Sequence, residues 1–171
     1  MFNVPTYLLQ QQTLTASVTF TYAAPSVTWT PRHLYVRLQA TSTSLAECKL
    51  QLNGDTGANY NRQMLRGQSS TPAALRVQNE TGYLFGSIDT TLHSGGWVLI
   101  PDAFSTRSQK AFVSLTGWKG DSEITAFTGR WANTSAITSV TVLPSAGIWK
   151  AGSIFDFAVV DESFQNSEEI V

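Results

Sequence analysis

Hydrophobic side chains return at every second residue along several stretches of this chain, a period that fits strands and excludes helices there. Leu34, Val36, Leu38 and Ala40 alternate with Tyr35, Arg37 and Gln39, and Ala46, Cys48, Leu50 and Leu52 alternate with Glu47, Lys49 and Gln51. Upstream, Leu14, Ala16, Val18, Phe20 and Tyr22 alternate with Thr13, Thr15, Ser17, Thr19 and Thr21, which predicts one strand over 13–22. Side chains of a strand point alternately to its two faces, so each run offers one apolar face to a core and one hydroxyl-rich or polar face to water.

Asn53-Gly54-Asp55 follows the third run and reads as a tight turn, because Asn and Gly tolerate positive φ. Residues 59–66 are the one stretch expected to make a helical turn, closed by Gly67 and followed by a loop over 68–72. Further strands are expected at 75–78, 83–88, 97–100, 111–117, 123–131, 136–143 and 153–160. Gly95-Gly96, Gly117 with Gly120, and Pro144 to Gly147 act as separators. No segment carries an apolar stripe at 3.6 spacing over three turns. About ten short strands at this spacing indicate an all-β antiparallel sandwich of two sheets. The expected organisation is an N-terminal arm over 1–12, a single sandwich domain over 13–160 and a solvated acidic tail over 161–171. Four of the twelve acidic residues fall in that tail.

Composition closes off several functions. The 171 residues carry a net charge of −1 and only 13% charged residues, while Ser and Thr number 18 and 21. Without a basic excess there is nothing to neutralise a nucleic-acid backbone. No apolar run reaches the ~18 residues of a membrane span. Met1 to Pro5 shows neither the basic region nor the apolar stretch of a signal peptide. The single cysteine, Cys48, sits on the apolar side of its run, which suits a buried small hydrophobe and leaves no partner for a disulfide.

Candidate chemistry is sparse. His33 and His93 lie far apart, and neither stands at metal-ligand spacing from another His or a carboxylate. No Gly-x-Ser-x-Gly elbow occurs. Asp121 and Glu123 would share one side of a strand, as a glycan-cleaving pair about 5–9 Å apart requires, but their Lys119–Glu123 setting reads as a polar loop. The oxygen-rich run from Asn53 to Asn59 lacks the acidic density and closing Glu of a calcium loop. No cofactor or metal is expected. The Asn79-Glu80-Thr81 and Asn133-Thr134-Ser135 triplets match a glycosylation pattern that has no meaning without secretion. Of the five tryptophans, Trp118 is the one expected in an exposed loop.

Two stretches carry a resemblance. One is Leu50-Gln51-Leu52-Asn53-Gly54-Asp55-Thr56-Gly57-Ala58-Asn59-Tyr60, with Gln63 and Leu65 following. The other runs from Gly129-Arg130-Trp131-Ala132-Asn133-Thr134 through Ile137 to Val140, and Ala151-Gly152-Ser153-Ile154-Phe155 comes after it. Together, over about residues 38–160, they resemble a jelly-roll module that recurs in virion proteins of tailed bacteriophages. That module commonly closes on Leu-Tyr-Gly, where this chain has Asp156-Phe157-Ala158-Val159. The resemblance implies scaffold roles for Asn53, Gly54, Asp55, Tyr60, Trp131, Asn133, Thr134, Ile137, Gly152 and Ser153. Asn53-Gly54 would make the reversal, Trp131 and Ile137 would fill the core, and Asn133 and Thr134 would close a loop through side-chain hydrogen bonds. Gly152 and Ser153 would admit the last strand. It further implies a non-catalytic virion protein, a capsid decoration (cement) protein acting as a homotrimer on the major capsid protein or another virion protein. Met1, Phe2 and Tyr7 of the arm and Trp118 are the expected partner contacts. The alternative is a tail or head-fibre module that binds host-surface glycans.

Overall fold

The computed structural model describes residues 6–14, 20–23, 32–118 and 123–160, and every regular element among them is a strand. In chain order these are β1 (Thr6–Thr13), β2 (Phe20–Ala23), β3 (His33–Ala40), β4 (Ala46–Leu52), β5 (Tyr60–Gln68) and β6 (Thr71–Glu80), followed by β7 (Tyr83–Ile88), β8 (Ser94–Ile100), β9 (Lys110–Trp118), β10 (Glu123–Trp131), β11 (Ser139–Pro144) and β12 (Ile154–Val160). They form two antiparallel sheets. The larger has eight strands in the order β1-β12-β3-β8-β9-β10-β5-β6, and the smaller has four in the order β2-β11-β4-β7.

The sheets pack face to face as a sandwich, and the alternation read from sequence decides which side chains lie between them. Leu34, Val36, Leu38 and Ala40 of β3, Cys48, Leu50 and Leu52 of β4, and Phe155, Phe157 and Val159 of β12 are all buried. Phe85 of β7, Phe112 of β9 and Val140 and Val142 of β11 join them in one continuous core. Burying each such side chain is worth roughly 1.5–3 kcal/mol, so the alternation is the main source of stability. Near the centre, Tyr83 stacks on Phe112 at 4.2 Å between centroids, and its hydroxyl shares a 2.8 Å hydrogen bond with Ser114.

Several expectations need correction. Residues 59–66 form no helical turn: Tyr60–Gln68 is strand β5, paired to β10 from Tyr60↔Trp131 to Gly67↔Ile124. Its alternation is disguised, because one inward position is Arg62 and one outward position is Leu65. The loop expected over 68–72 shrinks to a reversal at Ser69-Ser70, with Ser69 at φ +53, and β6 then runs ten residues from Thr71. Gly95-Gly96 lies inside β8 rather than before it. The single strand expected over 13–22 is divided, since Thr13 ends β1 in the large sheet and Phe20 opens β2 in the small one. From Thr6 onward the expected arm is an edge strand on β12, from Thr6↔Val160 to Thr13↔Ile154. Met1, Phe2, Asp121 and the acidic tail over 161–171 lie outside the described residues.

Candidate functional site

The structure brings the two motif stretches into one knot at the end of β4. Asn53 and Gly54 hold φ of +52° and +69°, and the Asp55 amide bonds back to Leu52 O at 2.9 Å. Two consecutive positive-φ residues closed by that bond form a tight reversal of the primed type. It sends the chain from the small sheet into the large one. The Asn53 carboxamide then fastens the segment before β11. Its Nδ2 donates to Ala136 O at 2.8 Å, and its Oδ1 accepts from Thr138 N at 2.7 Å, Thr138 Oγ1 at 3.1 Å and Ser139 N at 3.1 Å.

Asp55 is the second hub. Its carboxylate accepts Trp131 Nε1 at 2.6 Å, Asn59 Nδ2 at 2.9 Å and Gly57 N at 2.8 Å. Burial raises the pKa of that carboxyl, yet the bonds from Trp131, Asn59 and Gly57 outweigh burial and leave it below its ordinary value. Tyr60 accepts Leu52 N at 2.9 Å, donates to Asp55 O at 3.2 Å and stacks on Trp131 at 6.3 Å. Burial pushes the Tyr60 hydroxyl far up, against the Leu52 bond, so it stays protonated and keeps donating. Trp131 and Ile137 are buried. Asn133 accepts Ser135 N at 2.8 Å through its side chain, whereas Thr134 contributes its carbonyl to the buried Lys110 ammonium. Burial lowers the Lys110 pKa, with Asp102 pulling the other way. Gly152 and Ser153 lie apart from this knot. Gly152, at φ +87°, donates to Leu14 O, and Ser153 Oγ sits between Thr41 N and Thr41 O at 3.2 Å each. Every one of these contacts ties chain to chain.

The buried charges are likewise engaged. Arg62 of β5 meets Glu80 of β6 at 3.2 Å and also pairs with Glu47 of β4, bridging the two sheets. Burial pushes the Glu80 carboxyl up, opposed by Arg62. Glu123 accepts Thr125 Oγ1 at 2.7 Å and Ser87 Oγ at 3.1 Å, with Arg66 at 3.9 Å. His33 Nδ1 accepts Asp102 N at 3.0 Å, while His93 is exposed. Cys48 is fully buried and its thiol pKa lies well above the ordinary value, through burial and then the Glu47 charge. Among the described residues no group of three or more His, Cys, Asp or Glu could hold a metal ion. Tyr7 stands opposite Val159 in β1, and Trp118 ends β9 opposite Glu123.

The outer face of the eight-stranded sheet is open to solvent. On β9, β10 and β5 it exposes Leu65 (63%), Ile124 (57%), Val113 (44%) and Leu115 (37%), with Arg76 and Arg130 at the margin. On β1, β12, β3 and β8 it is mixed, with Gln11, Arg37, Gln39 and Asp156 beside Ile154, Trp97 and Leu99. There a depression of about 380 Å³ is lined by Gln11, Arg37, Gln39, His93, Trp97 and Asp156, among others. The buried Asp156 accepts Arg37 Nε at 2.6 Å and Gln11 Nε2 at 2.8 Å, and Trp97 stacks on Tyr35 at 6.0 Å. Burial raises the Tyr35 hydroxyl pKa, with Arg37 opposing and Asp156 reinforcing.

Sequence reasoning passed over this face. One signal was present: Ala111-Phe112-Val113 and Leu115 place apolar residues on both faces of β9, as in a strand covered on both sides. No family model matches the sequence, and neither does any curated protein.

Proposed function

We propose that this chain is a virion structural protein of the tailed-phage jelly-roll type, a capsid decoration protein that assembles as a homotrimer and works by contact with the major capsid protein or another virion protein. The observation that carries this reading is the exposed apolar face of β9, β10 and β5. Those three strands, at about 4.8 Å spacing and about 24 Å long, give roughly 350 Å² of projected face, in the size range where the largest patch on a monomer is often functional. Charge confined to the margin of an apolar patch is the pattern of a protein-contact surface.

Topology supports the jelly-roll part. The chain crosses between sheets at β1–β2, β2–β3, β3–β4, β4–β5, β6–β7, β7–β8, β10–β11 and β11–β12. If the β8-β9-β10 meander is counted as one position, the small sheet β2-β11-β4-β7 faces β3-(β8-β9-β10)-β5-β6. That is the order of two interleaved Greek keys. Closed assembly would also cover the exposed edges at β6 and β2.

The test uses purified full-length protein and head particles that lack it. Trimers by light scattering and saturable attachment to heads, without binding to host cells, are expected. The paired substitution Leu115→Lys and Ile124→Lys should abolish both while leaving the circular dichroism unchanged. A monomeric wild-type protein, or attachment that survives the pair, would refute the reading. Because β1 begins at Thr6, a deletion that probes the N-terminal arm without removing a strand stops at Pro5.

A further inference from the structure

Three glycines on the outer face of the large sheet answer no need of the fold. Gly95 pairs with Gly117, Gly117 with Ile124 and Ile124 with Gly67, so the three share one register row. None has positive φ. A Cβ would meet only Leu38 O at 3.9 Å on Gly95, Glu123 O at 3.9 Å on Gly117 and Ile124 Cγ2 at 3.7 Å on Gly67, all ordinary contacts. Neighbouring glycines behave differently. A Cβ on Gly96 would come within 2.5 Å of Thr116 Cγ2, and one on Gly129 within 2.5 Å of Asn61 O. Packing therefore explains the inward glycines and not the outward ones. A glycine weakens a strand, and one use of a strand glycine is to let a ligand or another chain approach the backbone closely.

Gly95 lies in the depression already described, beside Trp97 and Gln39. We propose that this depression binds a neutral carbohydrate chain. Its volume falls in the roughly 300–1,000 Å³ range of small-ligand sites. Arg37 and Asp156 neutralise each other, so neither an anion nor a cation gains a net counter-charge there. Sugar hydroxyls both donate and accept. They match the remaining guanidinium N–H groups of Arg37, the amides of Gln11 and Gln39, and the His93 ring. Trp97, half-buried and stacked on Tyr35, offers an aromatic surface to the apolar C–H face of a pyranose.

The inference is independent of the assembly reading and is tested on the isolated protein with no heads present. Maltohexaose, cellohexaose and chitohexaose are titrated by calorimetry and tryptophan fluorescence, with dextran sulfate as the anionic comparison. Saturable binding of at least one neutral hexasaccharide is expected. Trp97→Ala should weaken it about tenfold, ~1.4 kcal/mol. Gly95→Leu should abolish it while the thermal midpoint holds or rises, because the added side chain fills only the depression. The proposal is overturned if no neutral hexasaccharide binds, if dextran sulfate is preferred, if binding survives Gly95→Leu, or if Gly95→Leu lowers the midpoint and so returns that glycine to the fold.

Discussion

Replacing Asn53 by Gly removes one carboxamide and leaves the backbone free to hold φ near +52°. Four hydrogen bonds are lost, to Ala136 O, Thr138 N, Thr138 Oγ1 and Ser139 N. An intramolecular hydrogen bond contributes about 0.5–1.5 kcal/mol net. Thr138 is exposed, so water replaces part of what it loses. Taking the low end for its two bonds, adding the others and including the chain entropy of glycine gives a loss of roughly 2.5–5 kcal/mol. For a domain of this size that lowers the melting midpoint by about 5–20 °C. Asn53→Ala loses the same bonds and, unlike the Gly variant, keeps a Cβ in the left-handed region with no side-chain bond to offset it, a cost of about 1 kcal/mol relative to Asn53→Gly. Urea unfolding followed by tryptophan fluorescence would measure both, with shifted midpoints and an unchanged slope. The reasoning fails if Asn53→Gly costs less than about 0.5 kcal/mol, because the four bonds would then be worth less than the low end for one. It also fails if the Ala variant is as stable as the Gly variant, because the turn would then not depend on positive φ.

Two further outcomes follow from the same packing. The Asp55 carboxyl is held below its ordinary pKa in the folded chain, so its contribution is complete above the unfolded value near pH 4 and is lost as pH falls through the folded one. Asp55→Asn should therefore be less stable than the parent at neutral pH, with the gap closing below about pH 4; a gap constant across an acid titration would refute this. The Cys48 thiol is fully buried with a raised pKa, and should stay silent to an aromatic disulfide reagent in buffer and react in denaturing urea. Labelling of the native protein at the rate of a free thiol would contradict that placement.

Much of the fold was legible because the core obeys a short-range rule. In β3 and β4 the alternation named the buried set directly, and Asn53-Gly54 announced its turn through backbone freedom alone. Where inward positions are not apolar, the same rule fails. Tyr60–Gln68 hides its strand because Arg62 points inward, where Glu47 and Glu80 from two neighbouring strands stabilise it. The division of residues 13–22 between two sheets was also invisible, since period 2 gives the face of a residue and not the sheet it joins. Trp131 read as core filling, but its bond to Asp55 across 76 positions depends on the β10–β5 pairing. The depression is less legible still, because Gln11, Arg37, Trp97 and Asp156 become neighbours only through the order β1-β12-β3-β8.

One register row shows how the outer face divides. Across the large sheet it runs Gln11, Asp156, Arg37, Trp97, Leu115, Ala126, Leu65, Ala74. The first three are polar and joined by hydrogen bonds, and the last four are apolar. Trp97 stands at the change, and an indole suits a boundary because its ring is apolar while its N–H needs a polar partner or water. A partner drawn to the apolar half gains from excluding water, whereas a ligand on the polar half must replace water at each hydrogen-bonding group it covers. A single occupant would have to meet both demands on one nearly planar surface. Two occupants meet one each, with the border at β8. The glycine row beside it has the same border, with Gly95 in the polar half and Gly117 and Gly67 in the apolar half. On either side the missing side chains let an approaching surface reach the strand backbone.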